Sequence, residues 1–384
     1  MDTYNTNART PEELIDLYFG LVDSESGEIP PEDNGKALAY LQAAADKGSP
    51  DAWAELGACY VMGYFTDKDE KKAFDYLEKA ALRGVANAQM NLYILMWGGA
   101  RDDEERENAL YWLNQAVENN VPSALFETGT LYYNGLMHKQ DFEKALHYYK
   151  LSAEGGSSEA LAMIGVMNQL GQGVEKNMVK AAECFAKAAD EGSLTGLYNL
   201  GSAYMGGLGV DQDYEEAMSC FEMVADLEDP FFEMPDLNDV KTRSDISLIF
   251  HMTKVYELVY PLAHHNLGIM YQQGLGTEID AKSALYHFML ASENGYAPSC
   301  LQAGTMLYTG EGLERSEPQK AFEYLMVAYN AGIPESKLCL GMMHYYGEGA
   351  PLDKTKGIAM LDELIAAGNV AAIQIKKQIL NEGV

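Results

Sequence analysis

Residues 180–210, KAAECFAKAADEGSLTGLYNLGSAYMGGLGV, decide the fold of this chain. The stretch opens on Lys180-Ala181, Phe185 and Ala188-Ala189, apolar positions that recur at helical spacing and share one face. The pattern stops at Gly192, and glycine readily takes the left-handed conformation that closes a helix. A second helical pattern follows. Gly196, Leu200 and Tyr204 fall at steps of four and line one face. Gly201, directly after Leu200, lets a neighbouring helix come close. Gly207-Leu208-Gly209-Val210 then reverses the chain.

Working outward, the same unit returns every 36 residues. Glycines stand at Gly63, Gly99, Gly135, Gly171 and Gly207, and alanines at Ala37, Ala73, Ala109, Ala145, Ala181 and Ala217. The first-helix pattern recurs at Ala52, Leu56 and Tyr60 and again at Ala263, Leu267 and Tyr271. The second recurs at Lys72-Ala73, Tyr76-Leu77 and Ala80-Ala81, and at Lys144-Ala145, Tyr148-Tyr149 and Ala153. A fixed period in this range marks a solenoid, in which each helix pair buries its apolar face against its neighbours. The expected fold is all-α, an α/α superhelical stack of antiparallel helix pairs.

The recurring pattern, A-x-x-x-L-G-x-x-Y-x-x-G-x-G-V…D…K-A-x-x-Y/W-x-x-A-A-x-x-G, resembles the Sel-1-like repeat family, a branch of the tetratricopeptide-like helical solenoids. About eight complete units are read, with first helices starting near Ala52, Ala88, Ala124, Ala160, Gly196, Ala263, Ser299 and Ser336. Tyr93 replaces the helix glycine in one unit, and Gly98-Gly99-Ala100 lacks the G-x-G turn there.

The ends and one interruption stand apart. Residues 1–50 read as a capping helix pair, with helices over 11–22 and 36–47. Residues 51–384 read as the repeat solenoid, closed by a capping helix over 370–380. Ala217 and Ala284 are too far apart for one period, which places an insertion at 228–261. Its early part, Glu228 to Pro235, holds two prolines and cannot form a regular helix. Residues 244–260 read as an additional helix. A long insertion of this kind serves either as a tolerated surface excursion or as a partner-specific arm.

The formal net charge is −31. That excess argues against a nucleic-acid partner, whose phosphates need clustered Lys and Arg. It also disfavours anionic membrane surfaces, and it would steer in a basic partner. The N-terminus carries no signal-peptide pattern. No stretch matches a membrane span, which takes about 20 uninterrupted apolar residues. The five cysteines form no pairing pattern and read as buried residues of a reduced, cytoplasmic protein.

Motifs for chemistry are missing. The G-x-G turns lack a following G-K-S/T and join two helices, so they are not phosphate loops. His264-His265 is the most suggestive histidine pair, yet adjacent helical residues point about 100° apart and do not chelate together. Asp102-Asp103-Glu104-Glu105 lacks the alternating ligand spacing of a calcium loop. No metal, cofactor or catalytic residue is assigned, and the chain is read as a non-enzyme.

The resemblance implies that the first helix of each pair lines the concave wall, with ligand-facing positions beside the packing positions. These are Met90, Ile94 and Trp97; Phe126 and Tyr133; Tyr198 and Met205; His265 and Gln272; Leu301 and Tyr308; and Leu338, Met342 and Tyr345. This stripe has few charges and many aromatics and methionines, which fits recognition of a peptide through apolar anchors and Tyr hydroxyls. A helical methionine or aromatic is more often simply buried. The expected function is a non-enzymatic scaffold or adaptor for a protein or peptide. Two competing readings are a small-molecule or enzymatic site between the groove and the 228–261 insertion, and, from the resemblance, a bacterial effector acting on host proteins.

Overall fold

A computed structural model describes residues 4–21, 29–136, 139–227 and 246–382. The described residues are helical throughout, without a strand. In chain order the helices are α1 (Pro11–Phe19), α2 (Asn34–Asp46), α3 (Pro50–Met62), α4 (Glu70–Ala81), α5 (Ala86–Gly99), α6 (Asp103–Glu118), α7 (Pro122–Asn134), α8 (Phe142–Glu154), α9 (Ser158–Leu170) and α10 (Met178–Asp190). Then come α11 (Leu194–Gly206), α12 (Tyr214–Ala225), α13 (Ile246–Gln273), α14 (Ala281–Glu293), α15 (Ala297–Thr309), α16 (Pro318–Asn330), α17 (Ser336–Tyr346), α18 (Lys354–Ala366) and α19 (Val370–Glu382). They fall into two compact units, drawn from Met1–Asn199 with Leu227–Tyr256 and from Leu200–Asp226 with Glu257–Val384. Within each unit, consecutive helices pack as pairs, and each pair packs on the next.

The Asp or Asn before most second helices has two jobs. Asp69, Asp102, Asp141, Asn177, Asp213, Asp280 and Asp353 each accept a hydrogen bond from a backbone N–H in the first turn of the helix they precede. Those donors have no partner inside the helix, so the side chain satisfies them. The backbone N–H of Asp213 also donates to the Tyr204 carbonyl at the end of the preceding helix, at 3.0 Å. The same bond recurs from Asp69 to Tyr60, Asp141 to Tyr132 and Asp280 to Tyr271. One residue therefore starts the second helix and ties it to the first. Asp213→Ala is expected to cost about 1 kcal/mol of stability, and Asp213→Asn a few tenths at most. Urea midpoints of the two variants check this.

The glycine inside the first helix works as the sequence suggested. A Cβ on Gly165 would stand 2.5 Å from the Phe185 ring, and one on Gly268 2.6 Å from the Phe288 ring. Both rings are almost fully buried, so the missing side chain is what seats them. Where Tyr93 takes the glycine's place, α5 keeps its pairing with α6. The tyrosine is buried, and its hydroxyl donates to Glu127 at 2.8 Å. Gly98 and Gly99 there belong to the helix and not to a turn.

The insertion differs from expectation in one respect. Residues 246–260 do not form a helix of their own. They continue through Pro261 into the first helix of the following repeat, giving the 28-residue α13. Proline removes one backbone donor and usually kinks or breaks a helix. Here Pro261 is buried and the helix runs on. Residues 228–245, the expected irregular part of the insertion, lie outside the described residues.

Candidate peptide-binding wall

Three of the first helices carry no charge. α5, α11 and α15 contain no Asp, Glu, Lys or Arg, whereas α4 and α6 are rich in them. A helix without charge is normally buried all round. These helices nevertheless keep half-buried side chains, Ile94 to Trp97 on α5 and Tyr198, Tyr204 and Met205 on α11 among them.

In the first unit, Met90 and Phe126 are buried, at 3% and 9% exposure. Met90 packs with Tyr93, Ala109 and Leu113, and the Phe126 ring lies 5.4 Å from the Tyr149 ring. These two are part of the inter-helix core. Ile94, Trp97, Tyr133 and Tyr198 are half-buried. Trp97 leans on Tyr93 with ring centres 5.7 Å apart. In the second unit, Met205, His265, Tyr308, Met342 and Tyr345 are half-buried, as are Gln272, Leu301 and Leu338. Lys354 places its Nζ 4.9 Å over the Tyr345 ring.

The tyrosine hydroxyls are committed to neighbouring repeats. Tyr133 donates to Gln172 Oε1 at 2.7 Å, and Tyr308 donates to Glu348 Oε2 at 2.9 Å. In both cases the acceptor follows the left-handed glycine that ends the next repeat's first helix, Gly171 or Gly347. Burial and the neighbouring Glu348 carboxylate push the Tyr308 pKa up, so the hydroxyl stays a donor. A phenol that has donated its proton still accepts. Each unit thus offers an acceptor at a half-buried tyrosine oxygen: Tyr133 beside Gln172 in the first and Tyr308 beside Glu348 in the second. Gln172, Glu127 and Glu348 escaped the sequence reading because they sit outside the stripe positions. Their signal is a separation of one repeat, give or take a few residues, from the tyrosine they serve.

The histidines pair in an unexpected way. His264 does not act with His265. Its Nδ1 lies 2.8 Å from Nδ1 of His287 on α14, and the Tyr271 ring stacks on His287 with centres 5.4 Å apart. His265 turns to Ser299, with Nδ1 to Oγ at 2.8 Å. Burial lowers the pKa of all three to about 4; His287 adds to the lowering at His264.

Among the described residues, no three His, Cys, Asp or Glu side chains are placed to hold a metal ion. Burial pushes up the thiol pKa values of Cys59, Cys184, Cys220 and Cys339, the reverse of an activated nucleophile. Asp102 of the acidic run caps α6, and Glu105 pairs with Arg101 at 2.8 Å. No described helix is long and apolar enough to cross a membrane.

The model of the Sel1 repeat matches nine segments: residues 19–49, 50–85, 88–121, 122–157, 158–193, 195–229, 261–296, 297–332 and 336–369. The first of these falls in the stretch expected to act as a cap. Among solved structures, the chain is similar to the Sel1 repeat protein from Oxalobacter formigenes, with 25% identity over 74% of this chain and 99% of that one, and a TM-score of 0.58. It also matches c5321, a protective antigen present in uropathogenic Escherichia coli strains displaying an SLR fold. That match has 22% identity over 97% of this chain and 88% of the other, and a TM-score of 0.48. A third match is the immunity protein Pa5087 from Pseudomonas aeruginosa, with 18% identity over 61% and 83% of the two chains and a TM-score of 0.40.

Proposed function

Because the chain belongs to the Sel1 repeat family, we propose that it is a non-enzymatic scaffold or adaptor that seats a protein or peptide segment along its first-helix wall. Sel1 repeat proteins are generally protein-interaction scaffolds. The observation that carries the reading is the contrast on this wall: first helices of which α5, α11 and α15 hold no charge, with half-buried Trp97, Tyr198, Met205 and Tyr308, in a chain of net charge −31. Water is the poorest covering for such a surface, and an apolar segment of another protein is a better one.

The acceptor-rich edge narrows the partner's chemistry. In the first unit the Tyr133 oxygen and the Glu127 carboxylate, and in the second the Tyr308 oxygen and the Glu348 carboxylate, suit a segment that brings donors, such as Lys, Arg or the free N–H groups of an extended backbone. The overall acidity speeds the approach of the same partner. The reading therefore favours apolar anchors flanked by basic residues.

The test is capture from a native lysate by the wild type and by a Trp97→Ala, Tyr133→Ala, Tyr198→Ala chain. The triple variant is expected to lose its partner at least tenfold while keeping its far-ultraviolet circular dichroism. Retained capture with an intact fold would sink the wall as the binding surface.

A further inference from the structure

In two repeats of the first unit, the third residue after the capping aspartate is a lysine that covers a tyrosine ring. Lys72 places its Nζ 4.9 Å over the Tyr60 ring and 3.4 Å from Asp69. Lys144 places its Nζ 4.9 Å over the Tyr132 ring and 3.9 Å from Asp141. Each of these tyrosines also stacks on another, Tyr60 on Tyr76 and Tyr132 on Tyr148. The ring quadrupole and the carboxylate together hold the ammonium. Both repeats build the same cation seat and fill it themselves.

The second unit builds that seat at Tyr204 and Tyr271 but puts no lysine at the matching position. The two tyrosines hold the same place in the repeat: their carbonyls accept from the N–H of the capping aspartate, Asp213 or Asp280, as those of Tyr60 and Tyr132 accept from Asp69 and Asp141. Both side chains are half-buried. Three residues after the aspartate stand Glu216 and Ser283. Glu216 is exposed and brings a second carboxylate beside Asp213. Ser283 commits its hydroxyl to Asp280 Oδ2, at 2.7 Å. Tyr271 keeps a stacking partner in His287, with ring centres 5.4 Å apart. Burial pushes up the phenol pKa of both tyrosines, helped by Glu216 at Tyr204 and by Glu222, Asp280 and Asp226 at Tyr271. Among the described residues, no lysine or arginine lies over either ring. Each seat is thus a neutral phenol face with carboxylates around it.

We propose that Tyr204 and Tyr271 are lysine seats for a basic partner, each taking one ammonium in the place that Lys72 and Lys144 take in their own repeats. The filled seats indicate the occupant, since both hold lysine. A cation over an exposed ring gains about two- to fivefold in affinity, and two lysines on one partner multiply their gains. The inference rests on the proposed function only for the partner's basic character, because neither tyrosine belongs to the wall stripe.

The test uses full-length protein and a fluorescein-labelled decalysine peptide, read by anisotropy at physiological ionic strength. A Glu216→Lys, Ser283→Lys chain carries its own ammonium at both rings, and it is expected to bind the peptide at least tenfold more weakly than wild type. That chain gains three positive charges, two at the first position and one at the second. A Leu82→Lys, Val179→Lys, Val327→Lys chain gains the same three at exposed positions away from the seats and should lose less than threefold. Tyr204→Leu with Tyr271→Leu removes the rings without changing charge and should weaken binding at least fivefold. Leu307 holds this place in another repeat, so the fold accepts leucine there. Equal losses in the two lysine-bearing chains would reduce the effect to general charge and overturn the proposal. Full affinity in a folded leucine chain would overturn it, as would no saturable binding to wild type. Should the leucine chain lose its cooperative melt, the two lysine-bearing chains still decide. Lost capture in the wall variant leaves this result untouched, and failure here leaves the wall standing.

Discussion

Replacing Gly173 with alanine is expected to destabilise the chain by about 3 kcal/mol, well beyond the roughly 1 kcal/mol expected from Gly156→Ala. Both glycines have positive φ, +67° at Gly173 and +97° at Gly156. An L-residue forced into that region loses about 1–2 kcal/mol on backbone grounds alone. The two sites differ in what a Cβ would meet. At Gly156 nothing lies within 4 Å. At Gly173 the Cβ would stand 2.5 Å from the Phe142 carbonyl oxygen, at the first turn of α8. Backbone cannot swing aside as a flexible side chain can, so the clash shifts the interface between repeats and adds an overpacking cost of about 1–3 kcal/mol. Denaturant midpoints for the two variants separate these contributions. Equal losses would mean that the turn does not touch the preceding repeat in solution.

That contact recurs in register. A Cβ on Gly276 would meet the Tyr214 carbonyl, one on Gly312 that of Ala281, and one on Gly349 that of Pro318. The two glycines of each G-x-G turn therefore do different work. Gly171 ends α9 in the left-handed conformation, and Gly173 lets the turn press against the N-terminus of the preceding second helix. The sequence made the turn legible through the glycine pair, but read both members as freeing the backbone. Which neighbour the second glycine approaches is a property of stacked repeats, and no single repeat encodes it.

The helix pairs were legible because three independent signals share one phase: apolar stripes, the glycine that seats Phe185, and the acid that caps the next helix. The candidate wall was less so. Met90 and Phe126 occupy the same repeat position as Tyr198, yet they are in the core while Tyr198 is half-buried. The position fixes a direction along the edge between two helices, and the size of the facing side chains then decides whether water reaches it. Tyr149 beside Phe126 is large enough to close that edge. The burial of Ile246 among Ala54, Leu77 and Leu92 of α3, α4 and α5 could not be read at all. Its partners lie across a long loop, and hydrophobic periodicity reports only which face of a helix is buried, not by what. The same holds for His264: adjacency drew attention to His265, whereas the helix geometry that separates those two rings brings His264 onto His287 of the next helix.

That histidine pair should make the protein acid-sensitive in a window well above the range of most carboxylates. Burial holds His264 and His287 down at about 4, against an unfolded value near 6.5. The unfolded chain thus binds more protons than the folded one between those values. Stability contributed by the neutral rings is complete above pH ~6.5 and drains away as pH falls toward ~4. The Nδ1-to-Nδ1 hydrogen bond needs one ring to donate and the other to accept, so protonating both removes it. Nε2 of His264 is buried without a hydrogen-bond partner among the described residues, so a charge there would go uncompensated. At pH 5.5 the loss relative to pH 7.5 should be about 1 kcal/mol for each histidine once partial solvent access is allowed for. The matching repeats supply the control: Tyr76 stacks on Tyr60, and Tyr148 on Tyr132, as His287 stacks on Tyr271. Leucines Leu125 and Leu161 hold the place of His264. A His264→Leu, His287→Tyr chain should therefore keep the stacking and lose the acid sensitivity of the pair. Urea unfolding at the two pH values reads the difference directly. Parallel losses in wild type and variant would mean that the rings take up protons in the folded state as readily as in the unfolded chain, and that the pair is open to water.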